Sequence, residues 1–193
     1  MYIDEKLNWQ EHINVCKSKL SSSLYAINKI KSVVDIECLK TVYYALIYPH
    51  LTYGLILWGS TYDVYINKVI VMQKRIVRSM VNANQYQHTL PIFEQLNLLE
   101  LRDIYRMEIG KFMYKYINGD LPDPLSNIYL KTNVFHTHDT RQYDHIRPVI
   151  SRLNTSLQSL LYKGPVIWNS LSNEIKQAKS SLNAFSHKLR NQL

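Results

Sequence analysis

A long apolar periodicity near the start of the chain constrains the fold more than any other sequence feature. Between residues 8 and 31, apolar residues recur every three or four positions, at Trp9, Ile13, Cys16, Leu20, Leu24 and Ile27. This spacing places them on one side of an amphipathic α-helix whose other side is polar and rich in lysine. Asn8 followed by Glu11 is typical of a helix start, because the Asn side chain accepts an orphan backbone N–H. The chain is therefore predicted to begin with a helix that buries one face.

The same spacing, together with capping residues, predicts further helices along the rest of the chain. Their predicted extents are Asp35 to Pro49, residues 50 to 58 ending at Gly59, Ser60 or Thr61 to about Asn82, a short helix opened by Thr89 and Pro91, Glu100 to Asn118, Pro165 to Leu171, Asn173 to Ala178, and a last helix capped by Ser180 or Ser181. The apolar run at residues 50 to 58 is also compatible with a buried strand, since short apolar runs do not discriminate by periodicity. We favour a helix there.

The helical pattern changes after residue 118. Residues 119 to 125, GDLPDPL, are rich in turn formers. From Asn133 to about Asn154 the helical pattern gives way to a polar and basic segment, containing FHTHDTRQYDHIRP, that we expect to be an ordered loop. The sequence thus predicts an all-α protein in two parts. A bundle of three or four helices occupies residues 1–118, and an irregular basic loop with short C-terminal helices, residues 119–193, packs on it.

Composition excludes several classes of protein. Hydrophobic residues make up 46% of the chain and charged residues 20%, a balance typical of a folded domain rather than a disordered tail. No apolar run approaches the roughly 18 residues that a membrane span needs, and the charged first twenty residues do not resemble a secretory signal. We therefore predict an intracellular protein with no membrane partner. Its two cysteines, Cys16 and Cys38, are predicted to be buried thiols.

The formal net charge of +8 is concentrated toward the two ends of the sequence. Residues 1 to 80 carry ten basic and six acidic side chains, residues 81 to 130 four and six, and residues 131 to 193 nine and three. Such positive regions favour a polyanionic partner, most simply nucleic acid, through phosphate neutralisation and counterion release. On charge alone, solubility explains the excess equally well.

The sequence lacks the residue patterns of the common catalytic sites. A two-metal polymerase or nuclease needs carboxylates that converge on cations, but the eight aspartates are scattered and no Asp-Asp pair occurs. Gly-rich phosphate loops and G-x-S-x-G motifs are also absent from the sequence. Three histidines near two aspartates, His136, His138 and His145, are a weak zinc signal because no cysteine accompanies them. We predict no catalytic residue, metal site or cofactor in this chain.

Two basic segments are candidate nucleic-acid contacts, namely the predicted third helix and the histidine-containing loop. Their candidate residues are Lys68, Lys74, Arg75, Arg78, His136, His138, Arg141 and Arg147, with Lys17 and Lys19 of the first helix as weaker candidates. A solvated helix face and ordinary loop packing explain the same residues without a ligand. The 15 tyrosines could stack on bases. Most of them, such as Tyr43 and Tyr105, fall in apolar helical stripes and are predicted core residues.

Six sequence blocks share their order and spacing with a known family. They are YIDEKLNWQEHI at residues 2–13, LKTVYYALIYPHLTYGLILWG at 39–59, VMQKRIVR at 71–78, FHTHDTR at 135–141, GPVIWNSL at 164–171 and SLNAFSHKLRNQL at 181–193. Through them nearly the whole chain resembles the C-terminal part of jockey-like non-LTR retrotransposon reverse transcriptases, which are RNA-directed DNA polymerases. One departure is Leu171-Ser172, where the family usually has Leu-Pro.

The resemblance implies that the chain starts at the palm-to-thumb boundary and contains the thumb, which embraces template-primer duplex, and the region after it. The family's catalytic Asp pair and its Phe-Leu-Gly strand do not occur in this sequence. We therefore expect binding of an RNA–DNA hybrid or duplex without polymerisation by this chain alone, the parent polymerase using Mg²⁺. The palm would be a second partner, and the nucleus or the cytoplasm the location.

Two alternatives stay open. One is a helical protein-interaction module, whose mark would be exposed apolar residues such as Tyr2, Ile3 and Leu7. The other is a transposon remnant without a function.

Overall fold

The structure is a computed structural model that describes residues 1–131, 145–149, 151–176 and 181–192. Its α-helices are α1 (Gln10–Ile30), α2 (Ile36–Leu46), α3 (Tyr48–Thr52), α4 (Leu55–Trp58), α5 (Asp63–Met80), α6 (Leu90–Leu96), α7 (Leu101–Asn118), α8 (Asn154–Leu157), α9 (Leu160–Ser170), α10 (Asn173–Lys176) and α11 (Leu182–Gln192). A 3-10 helix spans Asp123–Leu125. Two short strands, β1 (Leu130–Lys131) and β2 (Ile146–Arg147), pair antiparallel with Leu130 opposite Arg147. The predicted all-α class is confirmed.

The chain divides into two compact units, Met1–Ile104 and Tyr105–Leu193. The predicted packing of a tail over residues 119–193 on a bundle over residues 1–118 stays a prediction. In the part of the chain that the structure describes, no helix combines the length and the apolar character needed to cross a membrane.

The Asn8 bond predicted for the start of α1 is present, since its side-chain oxygen accepts the N–H of Gln10 at 3.0 Å, whereas the cap predicted for α5 is not. α5 begins at Asp63 without a side-chain cap, since the hydroxyl of Thr61 donates instead to the carbonyl oxygen of Asn8 at 2.8 Å. At the start of α1 the Asp4 carboxylate accepts the backbone N–H groups of Asn8 and Trp9, at 2.9 and 2.7 Å. The turn before α1 is therefore held by Asp4.

Unit 1 is built on α1 and α5, which lie side by side and run in the same direction. Thr61 bonds to Asn8 near the starts of the two helices, and near their ends Ser79 Oγ donates to Asn28 Oδ1 at 2.7 Å. The predicted buried face of α1 is confirmed for Trp9, Ile13, Cys16, Leu20 and Ile27, whereas Leu24 is only half-buried at its edge. The buried face of α5 includes Ile66, Val69, Gln73, Ile76 and Met80. Side chains of α2, α3 and α4 complete this core, among them Leu39, Tyr43, Leu51, Leu55 and Trp58.

The apolar segment after Pro49 is helical, as predicted, but broken. Gly54 separates α3 from α4 with a φ of 65°, a left-handed conformation that glycine adopts without steric cost.

Cys16 is buried as predicted, and burial raises the pKa of its thiol to about 12. Cys38 is exposed, so the prediction of a buried thiol is wrong there, because Cys38 lies in the first turn of α2 away from its buried face.

Unit 2 has an aromatic core. The ring of Phe185 stacks on Tyr114 at 4.5 Å and on Trp168 at 5.9 Å between centroids. Pro165 lies inside α9 and has no N–H for the carbonyl of Leu161, which instead accepts the N–H of Val149 at 3.4 Å. The carbonyl group that proline leaves without an intrahelical donor thus binds the segment that follows β2.

Candidate nucleic-acid interface

α5 presents cations and small apolar residues on the side opposite its buried face. Lys68 and Arg75 are seven residues apart, as are Val71 and Arg78, so these four residues form one stripe along the helix. Val71 is 47% exposed and Arg75 is exposed, whereas Lys68 and Arg78 are half-buried. The Lys68 ammonium lies 5.6 Å from the centre of the Tyr65 ring. Three of the predicted contact residues of this helix therefore share one surface.

Lys74, the fourth predicted residue of this helix, lies at the flank of the stripe. Its Nζ pairs with Glu100 Oε1 at 3.3 Å, and both side chains are about two-thirds or more buried. This ion pair neutralises the charge locally, so Lys74 is the weakest of the four as a phosphate contact.

α1 adds cations beside the stripe. Lys17, Leu24 and Lys31 follow one another at intervals of seven and therefore lie on one side of the helix, whereas Lys19 lies on a different side. Since α1 and α5 are parallel with Asn28 next to Ser79, Lys17 is level with Lys68 along the pair. We call the surface formed by Lys17, Lys31, Lys68, Arg75 and Arg78 the basic side of unit 1.

A groove of about 620 Å³ lies at the end of the basic side. Its lining residues are Leu24, Asn28 and Lys31 of α1, Val71, Arg75, Arg78 and Ser79 of α5, and Ala83, Gln85 and Tyr86 of the following turn. Among these lining residues three are cationic and none is acidic. The groove therefore combines apolar side chains, those of Leu24, Val71 and Ala83, with cations suited to a phosphate.

The second predicted segment is only partly described. Arg147 lies in β2 and is exposed. Its neighbour Ile146 is fixed by Asn169, whose amide accepts the N–H of Ile146 at 3.2 Å and donates to its carbonyl at 2.8 Å. The candidates His136, His138 and Arg141 lie outside the described residues. Within the described ranges, no group of His, Cys, Asp and Glu side chains is arranged to hold a metal ion.

Comparison with known proteins gives two distant relatives, both from Drosophila melanogaster. The chain is similar to part of a retrotransposon RNA-directed DNA polymerase. The RNA-directed DNA polymerase from mobile element jockey is 23% identical over 114 residues, which are 58% of this chain and 12% of that protein. The probable RNA-directed DNA polymerase from transposon X-element is 20% identical over 117 residues, 59% of this chain and again 12% of that protein. The chain thus spans about 12% of the length of the curated relatives it matches.

No protein-family model matches the chain. No solved structure matches it either.

The groove contains one cation and one aromatic residue, Lys31 and Tyr86, that were not among the sequence candidates. Lys31 is seven residues beyond Leu24, and this spacing indicates that it lies on the same side of α1 as Lys17. The sequence does not show that this side of α1 lies next to α5, because that depends on tertiary packing. Tyr86 is 84% exposed and lies in the turn after α5, outside any apolar stripe. Its position outside the helical pattern was the signal that separates it from the core tyrosines.

Proposed function

We propose that unit 1 binds the sugar-phosphate backbone of nucleic acid through its basic side. The observation that carries the proposal is the collection of five cations on one side of α1 and α5, three of which line a groove with no acidic lining residue. Phosphate neutralisation by such a surface supplies sequence-independent affinity. The distant similarity to RNA-directed DNA polymerases supports nucleic acid, rather than another polyanion, as the partner.

In its finer form the proposal is that the helices act as a thumb that holds an RNA–DNA hybrid or duplex during polymerisation. The catalytic Asp pair would come from a palm, since the sequence has no Asp-Asp. Lys68, Arg75 and Arg78 are the proposed backbone contacts of α5, Lys74 contributes less, and His136, His138, Arg141 and Arg147 stay proposed contacts of the second segment. Intracellular action, in the nucleus or the cytoplasm, belongs to the same proposal.

A pair of lysines on α1 provides the sharpest test. Lys17→Glu places a negative charge on the basic side, whereas Lys19→Glu makes the same change on another side of the same helix. Both lysines are exposed, so neither change disturbs the core. We expect Lys17→Glu to weaken binding of a hybrid, measured by fluorescence anisotropy at about 50 mM salt, and Lys19→Glu to leave it nearly unchanged. Equal effects of the two variants would show that only net charge matters and would remove the assignment of the surface.

The double variant Arg75→Glu/Arg78→Glu tests the α5 stripe itself. It should weaken binding to all nucleic-acid sequences about equally. The slope of the logarithm of affinity against the logarithm of salt concentration should decrease by about 2, because two phosphate contacts are lost. Unchanged affinity for an RNA–DNA hybrid would exclude α5 as the contact helix. Circular dichroism of each variant checks that the helices are intact.

A second candidate function, a helical protein-interaction module, is favoured by one observation. The apolar side chains of Tyr2, Ile3 and Leu7 are 54%, 68% and 49% exposed, and adjacent exposed apolar residues mark interaction surfaces. Under this alternative the chain self-associates, and Ile3→Ser/Leu7→Asn lowers the association measured by sedimentation velocity. A wild-type chain that stays monomeric at high concentration would count against it.

A further inference from the structure

The end of α5 directs the following turn back over the basic side. Asn82 takes the left-handed conformation with φ 52°. The N–H of Ala83 donates to the carbonyl of Arg78 at 2.9 Å, and the N–H of Asn82 donates to the carbonyl of Ser79 at 3.3 Å. This bond pattern is the Schellman motif, in which a left-handed residue reverses the chain after a helix. The residues after Ala83 are thereby brought to the side of the helix that carries Arg78.

Two hydrogen bonds fix the turn in that place. Arg78 Nε donates to the carbonyl of Gln87 at 2.8 Å, and the Asn84 side chain accepts the N–H of Tyr86 at 3.1 Å. The bond to Gln87 uses one of the five N–H donors of the Arg78 guanidinium. Tyr86 is then held at the groove with its ring 84% exposed.

The groove lining matches the three parts of a nucleotide. Lys31, Arg75 and Arg78 supply cations for a phosphate, and the exposed ring of Tyr86 together with the apolar lining side chains suits the face of a base. The Gln85 amide, and the Asn28 amide N–H groups that its bond to Ser79 does not use, supply donors and an acceptor for a base edge or sugar. A groove volume of about 620 Å³ is within the range of small-molecule sites, about 300–1,000 Å³.

We propose that this groove holds one unpaired nucleotide of a nucleic-acid strand, with its base on Tyr86 and its phosphate at Lys31, Arg75 and Arg78. A base inside a duplex is stacked on both faces and cannot lie on a tyrosine, so the groove selects a single-stranded segment or an overhang next to a duplex. The inference rests on the proposed function of the basic side and adds to it a preference for unpaired bases.

The test compares three labelled probes: a (dT)12 strand, a blunt 20-base-pair duplex and the same duplex with a four-nucleotide overhang. Tyr86→Ala should weaken binding of the strand and the overhang probe by roughly 5- to 150-fold, the effect of losing one stacked base. Binding of the blunt duplex should change by less than about twofold. Tyr86→Phe, which keeps the ring, should restore most of the preference.

The other outcomes contradict either the nucleotide groove alone or the binding function of the basic side as well. If Tyr86→Ala affects all probes equally or none, or if Tyr86→Phe is as weak as Tyr86→Ala, the nucleotide groove is wrong while the basic side stands. If the wild-type chain binds no probe at low salt, the proposed function fails as well. If AMP, added at up to millimolar concentration, competes with an affinity equal to that of the strand probe, the ligand of the groove is a free nucleotide and not a nucleic-acid strand.

Discussion

Gln73, in the middle of α5, is completely buried and connects three parts of unit 1. Its Nε2 donates to Tyr43 Oη at 2.9 Å and to the carbonyl of Leu99 at 3.0 Å, while its Oε1 accepts the N–H of Leu101 at 2.9 Å. The last bond satisfies one of the orphan N–H groups at the start of α7. The side chain therefore acts as a helix cap supplied by another helix.

Gln73→Leu should destabilise the protein by about 3 kcal/mol, because it leaves several buried polar groups without partners at a cost of about 1–3 kcal/mol each. Urea unfolding followed by circular dichroism measures the change. Gln95→Leu, on the exposed side of α6, is the matched control and should stay within about 0.5 kcal/mol of wild type. A similar result for both variants would show that the buried amide bonds contribute little.

His12 is buried between two tryptophans, with its ring 6.5 Å from Trp9 and 5.5 Å from Trp58. Neither ring nitrogen has a hydrogen-bond partner within the described residues. Burial, and to a smaller extent the positive chain terminus at Met1, lower the pKa of His12 below its ordinary value of 6.5. The folded state therefore favours the neutral form of the His12 imidazole.

The lowered pKa makes stability depend on pH in a defined direction. Above pH 6.5, His12 is neutral in both the folded and the unfolded chain, so it adds no pH dependence. As the pH falls below that value the unfolded chain binds a proton first, and stability falls by up to about 1.4 kcal/mol per pH unit until the folded state also protonates. His12→Phe should reduce the loss in urea midpoint between about pH 7.5 and pH 5. An unchanged loss would assign the acid sensitivity to other groups.

At the scale of elements, close packing in unit 2 depends on glycine in α9. A Cβ atom built on Gly164 would lie 2.5 Å from Tyr129 Oη and 2.9 Å from Met113 Sδ. The Tyr129 hydroxyl cannot easily move, because it donates to the carbonyl of Leu160 at 2.9 Å. Gly164 thus lets α9 approach the Tyr129 ring.

Gly164→Ala should destabilise the protein by about 1–2 kcal/mol, since overpacking of about 1–3 kcal/mol exceeds the gain of about 1 kcal/mol from helix propensity. Thermal unfolding measures the effect. Because the nearest atom is the Tyr129 hydroxyl oxygen, the penalty should be smaller when the substitution is made in a Tyr129→Phe background. A penalty of the same size in both backgrounds would assign it to Met113 instead.

The helices and their buried faces could be predicted because periodicity is a local property of the sequence. The stripes of α1 and α5 place Ile13, Leu20, Ile66 and Ile76 in the core, where the structure has them. The partner of each polar group could not be predicted, because it is chosen by tertiary packing. Lys74, for example, is one more cation of the same basic helix as Arg78 in the sequence, and only the structure shows that it pairs with Glu100 near the start of α7.

The candidate site was predictable only in part for the same reason. The sequence identifies four candidate cations on α5, Lys68, Lys74, Arg75 and Arg78, without separating Lys74 from the others. The structure adds Lys31 from α1 and Tyr86 from the turn to the groove. Both additions depend on the parallel pairing of α1 with α5 and on the left-handed Asn82. No local pattern specifies which helix lies beside which.

At the scale of the whole molecule, the basic side predicts a steep salt dependence of binding. If its five cations each neutralise one phosphate of a duplex, the logarithm of the affinity falls with the logarithm of salt with a slope of about −4 to −5. Affinity then decreases roughly 10²- to 10³-fold between about 50 and 200 mM salt. Arg75→Gln should reduce the slope by about 1 in the same titration. A slope near zero for wild type would mean that phosphate contacts do not drive binding.

The parallel direction of α1 and α5 brings the carboxyl ends of both helices to the groove. Each carboxyl end carries a partial negative charge from the helix macrodipole, and Lys31 and Arg78 lie at these two ends. The two cations therefore stabilise the folded helices by about 0.3–1 kcal/mol each even without a ligand. Replacing either cation by a neutral residue is therefore expected to lower the stability of unit 1 as well as any affinity of the groove for an anion.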